Sequence, residues 1–242
     1  MTQQVAIVIP IYKEEMNDFE KKSFQQCLSV LGGHPIVVVK PKSLMLNSLK
    51  ERYPQLQFND FPDHFFKGIE GYNNLMISVD FYKAFLDFEY ILIYQLDAYV
   101  FEDRLVEWCN KGYDYIGAPH IEPDRWEVGG KNPGNYFEGR RVFMNGGFSL
   151  RKVKPIIRLL KVLDFVGQRW ISNEDGLYSL HFIRLWPFRP LMNLPNWQEA
   201  LEFSMEQYPD LCYKLNQERL PFGCHAWEKY DYAFWKPFMN EK

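Results

Sequence analysis

The longest apolar runs in this chain are short and rich in β-branched residues. "VAIVIPI" at 5–11, "PIVVV" at 35–39 and "YILIYQLD" at 90–97 each predict a strand. Continuous runs without polar alternation suit strands buried on both faces, as in a parallel sheet. Between the first two, Met16, Phe19, Phe24, Cys27, Leu28 and Leu31 fall mainly at helical spacing, and Gly32–Gly33 supplies the stop. The opening is therefore β-α-β, the unit of a doubly wound sheet. Tyr72, Leu75, Met76, Val79, Tyr82, Phe85 and Leu86 recur every three or four residues and predict one helix face turned to the core, with Asn73 and Asn74 at its start as caps or, alternatively, donor contacts. "EDRLVEWCNKG", "VKPIIRLLKVL" and "NWQEALEFSMEQ" predict further helices, and "SNEDGLYSLHFI" reads as a capped helix start. "YDYIGAP" and "VFMNGGFSLR" return to strand character. "FNDFPDHFFKG" reads as loop, as does 122–141, whose length and Gly, Pro and charge content mark a functional segment expected to close over substrate. With no repeat and no composition break, one α/β domain with a mostly parallel central sheet and helices on both faces is the economical reading.

Composition narrows this picture in a few places. A chain of 242 residues with 47% hydrophobic content buries a sizeable core and is not disordered. A net charge of −3 argues against a nonspecific nucleic-acid binder. The aromatic fraction of 17% suits sugar stacking, base stacking or a membrane interface alike. Four cysteines without a C-x-x-C pair argue against a structural zinc site and a disulfide framework, and the N-terminus lacks a basic segment ahead of its short apolar run. The expected setting is cytoplasmic and reducing. The aromatic tail "WEKYDYAFWKPFMNEK" either packs over the core or touches a membrane surface, and scarce basic residues favour packing.

Neither G-x-G-x-x-G nor G-x-x-x-x-G-K-[ST] follows the first strand, so an ordinary dinucleotide site and a P-loop are disfavoured. Open α/β sheets nevertheless bind ligands at the carboxyl ends of their strands. Pro10 and Tyr12, Lys40, Gln95 and Asp97, and Pro119 and His120 occupy those positions. A carboxylate closing an apolar strand is useful where it meets a divalent cation bridging to phosphate, and equally natural as a cap of the following turn. The residues alone leave Asp97 open between the two.

"VAIVIPIYKE", "LIYQLDAYVF", "NGGFSLR", "NEDG" and "FGCHAW" occur in that order. Together they resemble a GT-A-fold glycosyltransferase, and most of all a bacterial family with Q-x-D, N-G-G-F-S-x-R, E-D-G and F-G-x-H landmarks. The resemblance runs from about residue 5 to 227. It implies a GT-A-like domain over 1–242, nucleotide-binding to about residue 120 and acceptor-side beyond. It implies transfer of a sugar from a nucleoside-diphosphate donor to a glycan or lipid-linked saccharide in surface polysaccharide synthesis. Pro10 and Tyr12 would lie beside the base, Asp97 and His225 would bind Mn²⁺ or Mg²⁺, and Asn145, Gly146, Gly147 and Arg151 would line the donor pocket. Lys40 and Gln95 join the expected donor contacts. Glu174 and Asp175 would be the catalytic carboxylates, one of them taking the acceptor's proton with inversion.

The D-x-D element is incomplete, since Gln95 and Tyr99 flank Asp97. Lys67, Arg140, Arg141 and Arg151 are candidate cations should no metal serve. Bland readings stand beside each assignment. Glu174 and Asp175 suit a helix's first turn, His225 a packed position, and the paired glycines a bulge. The competing functions are a catalytically inactive sugar- or nucleotide-binding protein on this fold and a sugar nucleotidyltransferase, with a glycoside hydrolase using Asp97 and Asp175 an outsider.

Overall fold

The computed structural model describes residues 3–121, 143–167, 170, 173–181 and 191–239. Among these the strands are β1 (Gln3–Pro10), β2 (Ile36–Pro41), β3 (Gln57–Phe61), β4 (Phe88–Tyr94), β5 (Tyr99–Val100), β6 (Tyr115–Pro119), β7 (Met144–Lys152), β8 (Ser204–Met205) and β9 (Gly223–Cys224). Six form a sheet in the order β3-β2-β1-β4-β7-β6. β3, β2, β1 and β4 run parallel, while β7 runs antiparallel to both neighbours. The expected α/β class with a mostly parallel sheet is therefore observed. Strand order reverses at β1, with β2 on one side and β4 on the other. That reversal opens a crevice beyond the carboxyl ends of β1 and β4.

The predicted first crossover is present. α1 (Asp18–Leu31) begins with a capping box in which Asn17 accepts from the Glu20 amide and the Glu20 carboxylate accepts from the Asn17 amide. Its Phe24, Cys27 and Leu31 are buried, so the helical spacing reports a core face.

Three elements depart from the sequence pattern. Gln57–Phe61, read as loop, forms edge strand β3. Only Phe61 of the five is buried, so no apolar run marks it, and backbone pairing with β2 makes it a strand. After α2 (Asn47–Arg52), the 72–86 segment is two helices, α3 (Gly68–Met76) and α4 (Val79–Lys83), separated where Ser78 takes an extended backbone with ψ 127°. Asn73 and Asn74 consequently lie inside α3 rather than capping it, and Leu86 is half exposed. Finally, the helix expected through "EFSMEQ" stops at Phe203, because Ser204 turns extended and enters β8. The 122–141 loop lies outside the described residues.

β5, β9 and β8 form a second, small sheet, with β8 parallel and β5 antiparallel to β9. It carries its own core, in which Trp227, Trp235, Cys212 and Cys224 are buried, so the aromatic tail packs inward. No helix among the described residues is long and apolar enough to cross a membrane. Phe148 of β7 joins the two sheets. It is fully buried and its ring lies 5.3–5.7 Å from those of Tyr94, Phe203 and Phe222.

Truncating a buried phenylalanine removes transfer free energy and leaves a cavity, together about 3–5 kcal/mol. Phe148→Ala is expected to lower the urea midpoint accordingly. A loss below about 1 kcal/mol would mean that the sheets do not share this ring as core.

Candidate active site

Three short backbone pairings gather the site at the crevice. β4 ends at Tyr94, and the Gln95 amide donates to the Gly147 carbonyl of β7 at 2.9 Å. In the small sheet Cys224 lies opposite both Met205 and Tyr99. His225 and Glu206 therefore leave β9 and β8 side by side, and Asp97 enters β5 at the same edge. The His225 amide donates to Met205 at 3.0 Å and the Trp227 amide to Asp97 at 3.4 Å. Between them Ala226 has φ +49°, a left-handed conformation that aims His225 and costs stability in a residue with a Cβ.

The side chains meet as the backbone dictates. His225 Nε2 lies 3.2 Å from Asp97 Oδ1 and 3.2 Å from Gln95 Oε1. Its Nδ1 lies 3.1 Å from Glu206 Oε2, an ion-pair contact rather than an aligned hydrogen bond. The Asn145 amide donates to the same Glu206 carboxylate. Burial opposes charge on His225, but Asp97 and Glu206 outweigh it and push its pKa up to about 10. Burial would raise the Asp97 carboxyl, and the His225 charge holds it below its ordinary value. Carboxylate, amide oxygen and imidazole nitrogen converging in this way are donors that fit Mn²⁺, and Glu206 sits where it can orient the imidazole through Nδ1. Among the described residues no three His, Cys, Asp or Glu side chains form a ligand group, so Gln95 belongs to any such set. A metal there would have to displace the Nε2 proton, making its affinity rise with pH.

On the other wall stands the segment 173–176. Glu174 is buried and Oε1 accepts from Arg151 Nη2 at 2.9 Å. Asp175 is 8% exposed, and Oδ1 accepts from the Gly176 amide at 2.8 Å. Burial first, then the neighbouring Glu174 charge, raises its pKa to about 7. A carboxylate with that pKa divides its time between acid and base near neutrality.

Both walls face one cavity of about 580 Å³. Pro10, Tyr12, Gln95, Asp97, Asn145, Gly146, Gly147, Glu174, Asp175 and His225 all line it. Two expected residues do not. Lys40 is 2% exposed in the sheet, 2.9 Å from Asp60, and Arg151 lies beneath the floor. β2 is buried along its whole length and β7 along nearly all of it, so both side chains are interior. Lys67, Pro119 and His120 also do not line it, while Arg140 and Arg141 lie outside the described residues. Lys13, Asn17, Glu20, Tyr72, Glu206 and Glu228 line it without having been anticipated. Glu206 was hidden by the helical reading of 196–207. Lys13 and Glu20 were signalled only by adjacency to Tyr12 and by the capping pattern.

The paired glycines have separate reasons. A Cβ at Gly147 would lie 2.0 Å from His225 Nε2, and one at Gly146 would lie 2.3 Å from Glu174 Oε1. They clear space for two charged side chains while themselves lining the cavity.

The family model described as a protein of unknown function, DUF5672, matches residues 55–225. The chain belongs to that family. The DUF5672 match includes Asp97, the glycine pair, Glu174, Asp175 and His225, and leaves β1 outside. No curated protein matches the sequence. Among solved structures, the galactosyltransferase LgtC in complex with donor and acceptor sugar analogues is similar, with TM-score 0.52 and 11% identity over 91% of this chain and 86% of that one. An active-site mutant of LgtC gives TM-score 0.55 and 12% identity over the same shares. The bifunctional glycosyltransferase WbbM gives TM-score 0.49 and 12% identity over 93% of this chain and 46% of that one. At these identities the LgtC likeness shows the fold, that of GT-A glycosyltransferases.

Two outcomes follow from the geometry. Gly147→Ala is expected to displace the His225 ring and bring its NMR-measured pKa down from about 10 toward the ordinary histidine range. For Asp175 the folded pKa of about 7 exceeds the unfolded value, so the folded state binds more protons and stability falls as pH rises from about 4 to 7. Asp175→Asn removes that cost. Its thermal midpoint should match the parent near pH 4 and exceed it at pH 8, and equal midpoints at both would show Asp175 solvated.

Proposed function

We propose that this DUF5672 chain is a glycosyltransferase that moves a sugar from a nucleoside-diphosphate donor to the hydroxyl of a saccharide or lipid-linked acceptor. The observation that carries the reading is that two chemically distinct groups line one cavity at the sheet's switch point, the Asp97–Gln95–His225 set and Asp175, poised near neutrality. The GT-A fold supports it by analogy.

Electrostatics sets the terms. Six carboxylates line the cavity among the described residues, those of Glu20, Asp97, Glu174, Asp175, Glu206 and Glu228, against the cations Lys13 and His225. Lys13 is already paired with Glu20 at 2.8 Å. A diphosphate would be repelled unless a further positive charge accompanied it. Asp97, Gln95 and His225 are the residues that would hold a divalent cation, whose chemistry there would be to offset the charge of the departing diphosphate. In the transfer, the acceptor oxygen bonds to the anomeric carbon, the bond from that carbon to the diphosphate oxygen breaks, and the hydroxyl proton passes to Asp175. A base on the face opposite the leaving group gives inversion. Tyr12, 60% exposed at the rim beyond β1, is placed to cover the base of the donor.

A second reading has its own observation. His225, protonated near neutrality, could itself supply the positive charge, with no metal needed. Thermal shift with UDP-, GDP-, CMP- and dTDP-sugars, each with and without Mn²⁺, separates the two. We expect one nucleotide to stabilise the chain only with Mn²⁺, and Asp97→Asn to abolish that shift. A shift equal with and without Mn²⁺ selects the imidazolium reading. No shift with any donor overturns the donor site itself.

A further inference from the structure

The floor of the cavity holds a buried ion pair that the transfer chemistry does not use. Arg151 is completely buried in β7. Nε donates to Ser149 Oγ at 2.9 Å, Nη1 to Tyr82 OH at 3.0 Å, and Nη2 to the Gly146 carbonyl at 3.2 Å and Glu174 Oε1 at 2.9 Å. Tyr115 and Tyr178 place their rings 5.4 and 5.5 Å from the guanidinium. Tyr82 and Tyr178 in turn donate to the Met76 carbonyl at the end of α3. All three guanidinium nitrogens are engaged, and the box around them comes from β6, β7, α4 and the Leu177–His181 turn.

Glu174 is the open end of this network, and Asp175 follows it in the chain. The Asp175 carbonyl accepts from Ser179 Oγ at 2.6 Å, and Ser179 Oγ accepts from the Met144 amide at 3.1 Å. The peptide carrying Asp175 is thus gripped from both sides by β7, through Arg151 at one end of the strand and Met144 at the other. Gly146 admits the grip, since a Cβ there would lie 2.8 Å from Arg151 Nη2 as well as against Glu174.

We propose that Arg151 and Glu174 are a positioning pair, and that the two adjacent carboxylates divide their roles, Glu174 holding the segment while Asp175 alone meets the acceptor hydroxyl. This rests on the glycosyltransferase reading for the acceptor, but the positioning itself has a readout that needs no donor. Burial is the larger cause of the raised Asp175 pKa, ahead of the Glu174 charge, and that burial lasts only while the segment is held in place. Besides Glu174 and Arg151, the charged and titratable groups acting on Asp175 are Glu206 and Tyr115, and neither changes in the test.

The test compares the full-length parent, Asp175→Asn, and the double variant Arg151→Met with Glu174→Leu, which fills the box with apolar volume. Replacing both members of a buried ion pair this way preserves folding far better than removing one. The pH dependence of the thermal midpoint is measured first. The parent should show the fall in stability between about pH 4 and 7 that Asp175→Asn lacks. In the double variant that fall should vanish, because an unheld Asp175 relaxes into solvent, whereas loss of the Glu174 charge alone would only narrow it, burial being the larger cause. A double variant that retains the fall up to about pH 7 overturns the proposal, whatever the reaction. Where transfer is detected, the double variant should lose about 100-fold in kcat, with donor KM changed less than about 3-fold. Parent-like kcat in the double variant, or full kcat in Asp175→Asn, also overturns it. Absence of transfer in the parent would remove the functional reading while the pH measurement still decides the pair.

Discussion

A guanidinium with no access to water must be neutralised and fully hydrogen-bonded, or the fold cannot contain it. Arg151 meets that condition with hydrogen bonds drawn from Ser149, Tyr82, Gly146 and Glu174. Because these partners belong to separate stretches of chain, satisfying one side chain fixes where β7, α4 and the Glu174 segment lie relative to each other. Much of the cavity floor follows. The glycine pair must be bare, the break between α3 and α4 must bring Tyr82 to Nη1, and Asp175 must emerge where the segment is gripped. A polar cluster of this kind adds little net stability over a packed apolar one, but it admits few alternative arrangements.

The wall that carries Asp97 and His225 is built by topology. Asp97, Glu206 and His225 come from separate parts of the chain, on the flanks of three strands of two residues each. Pairing β9 with β8 in parallel and with β5 in antiparallel sense brings their relevant ends to one edge. The strain at Ala226 is confined to the residue after His225, a common place for a fold to hold an unfavourable backbone. The outcome is an imidazole between two carboxylates, which stays charged through the physiological range unless something more positive replaces its proton.

Two carboxylates next to each other in sequence thus meet different environments. Glu174 is paired with a fixed cation, whereas burial and the Glu174 charge push the Asp175 carboxyl up, although both are nearly equally buried. Asp175 can thereby exchange protons near neutrality.

The sequence by itself determined the parallel core, because strands buried on both faces must be written as continuous apolar runs, and β1, β2 and β4 are. It also showed Asp97, the glycine pair, Glu174, Asp175 and His225 in an order that marked them as a set. It could not show β3, whose pairing is made by backbone atoms that carry no residue signature, nor the end of the 197–203 helix, which stops because a partner strand takes Ser204. Whether a strand-end residue faces solvent or core is decided by one register step, so Lys40 and Arg151 looked like ligands and are interior. Glu206 joined His225 only in three dimensions. Short-range order is encoded in spacing, but contacts such as those of His225 with Glu206, 19 positions away, and with Gln95, 130 positions away, exist only after the chain has folded back on itself, and the chemistry of this cavity depends on them.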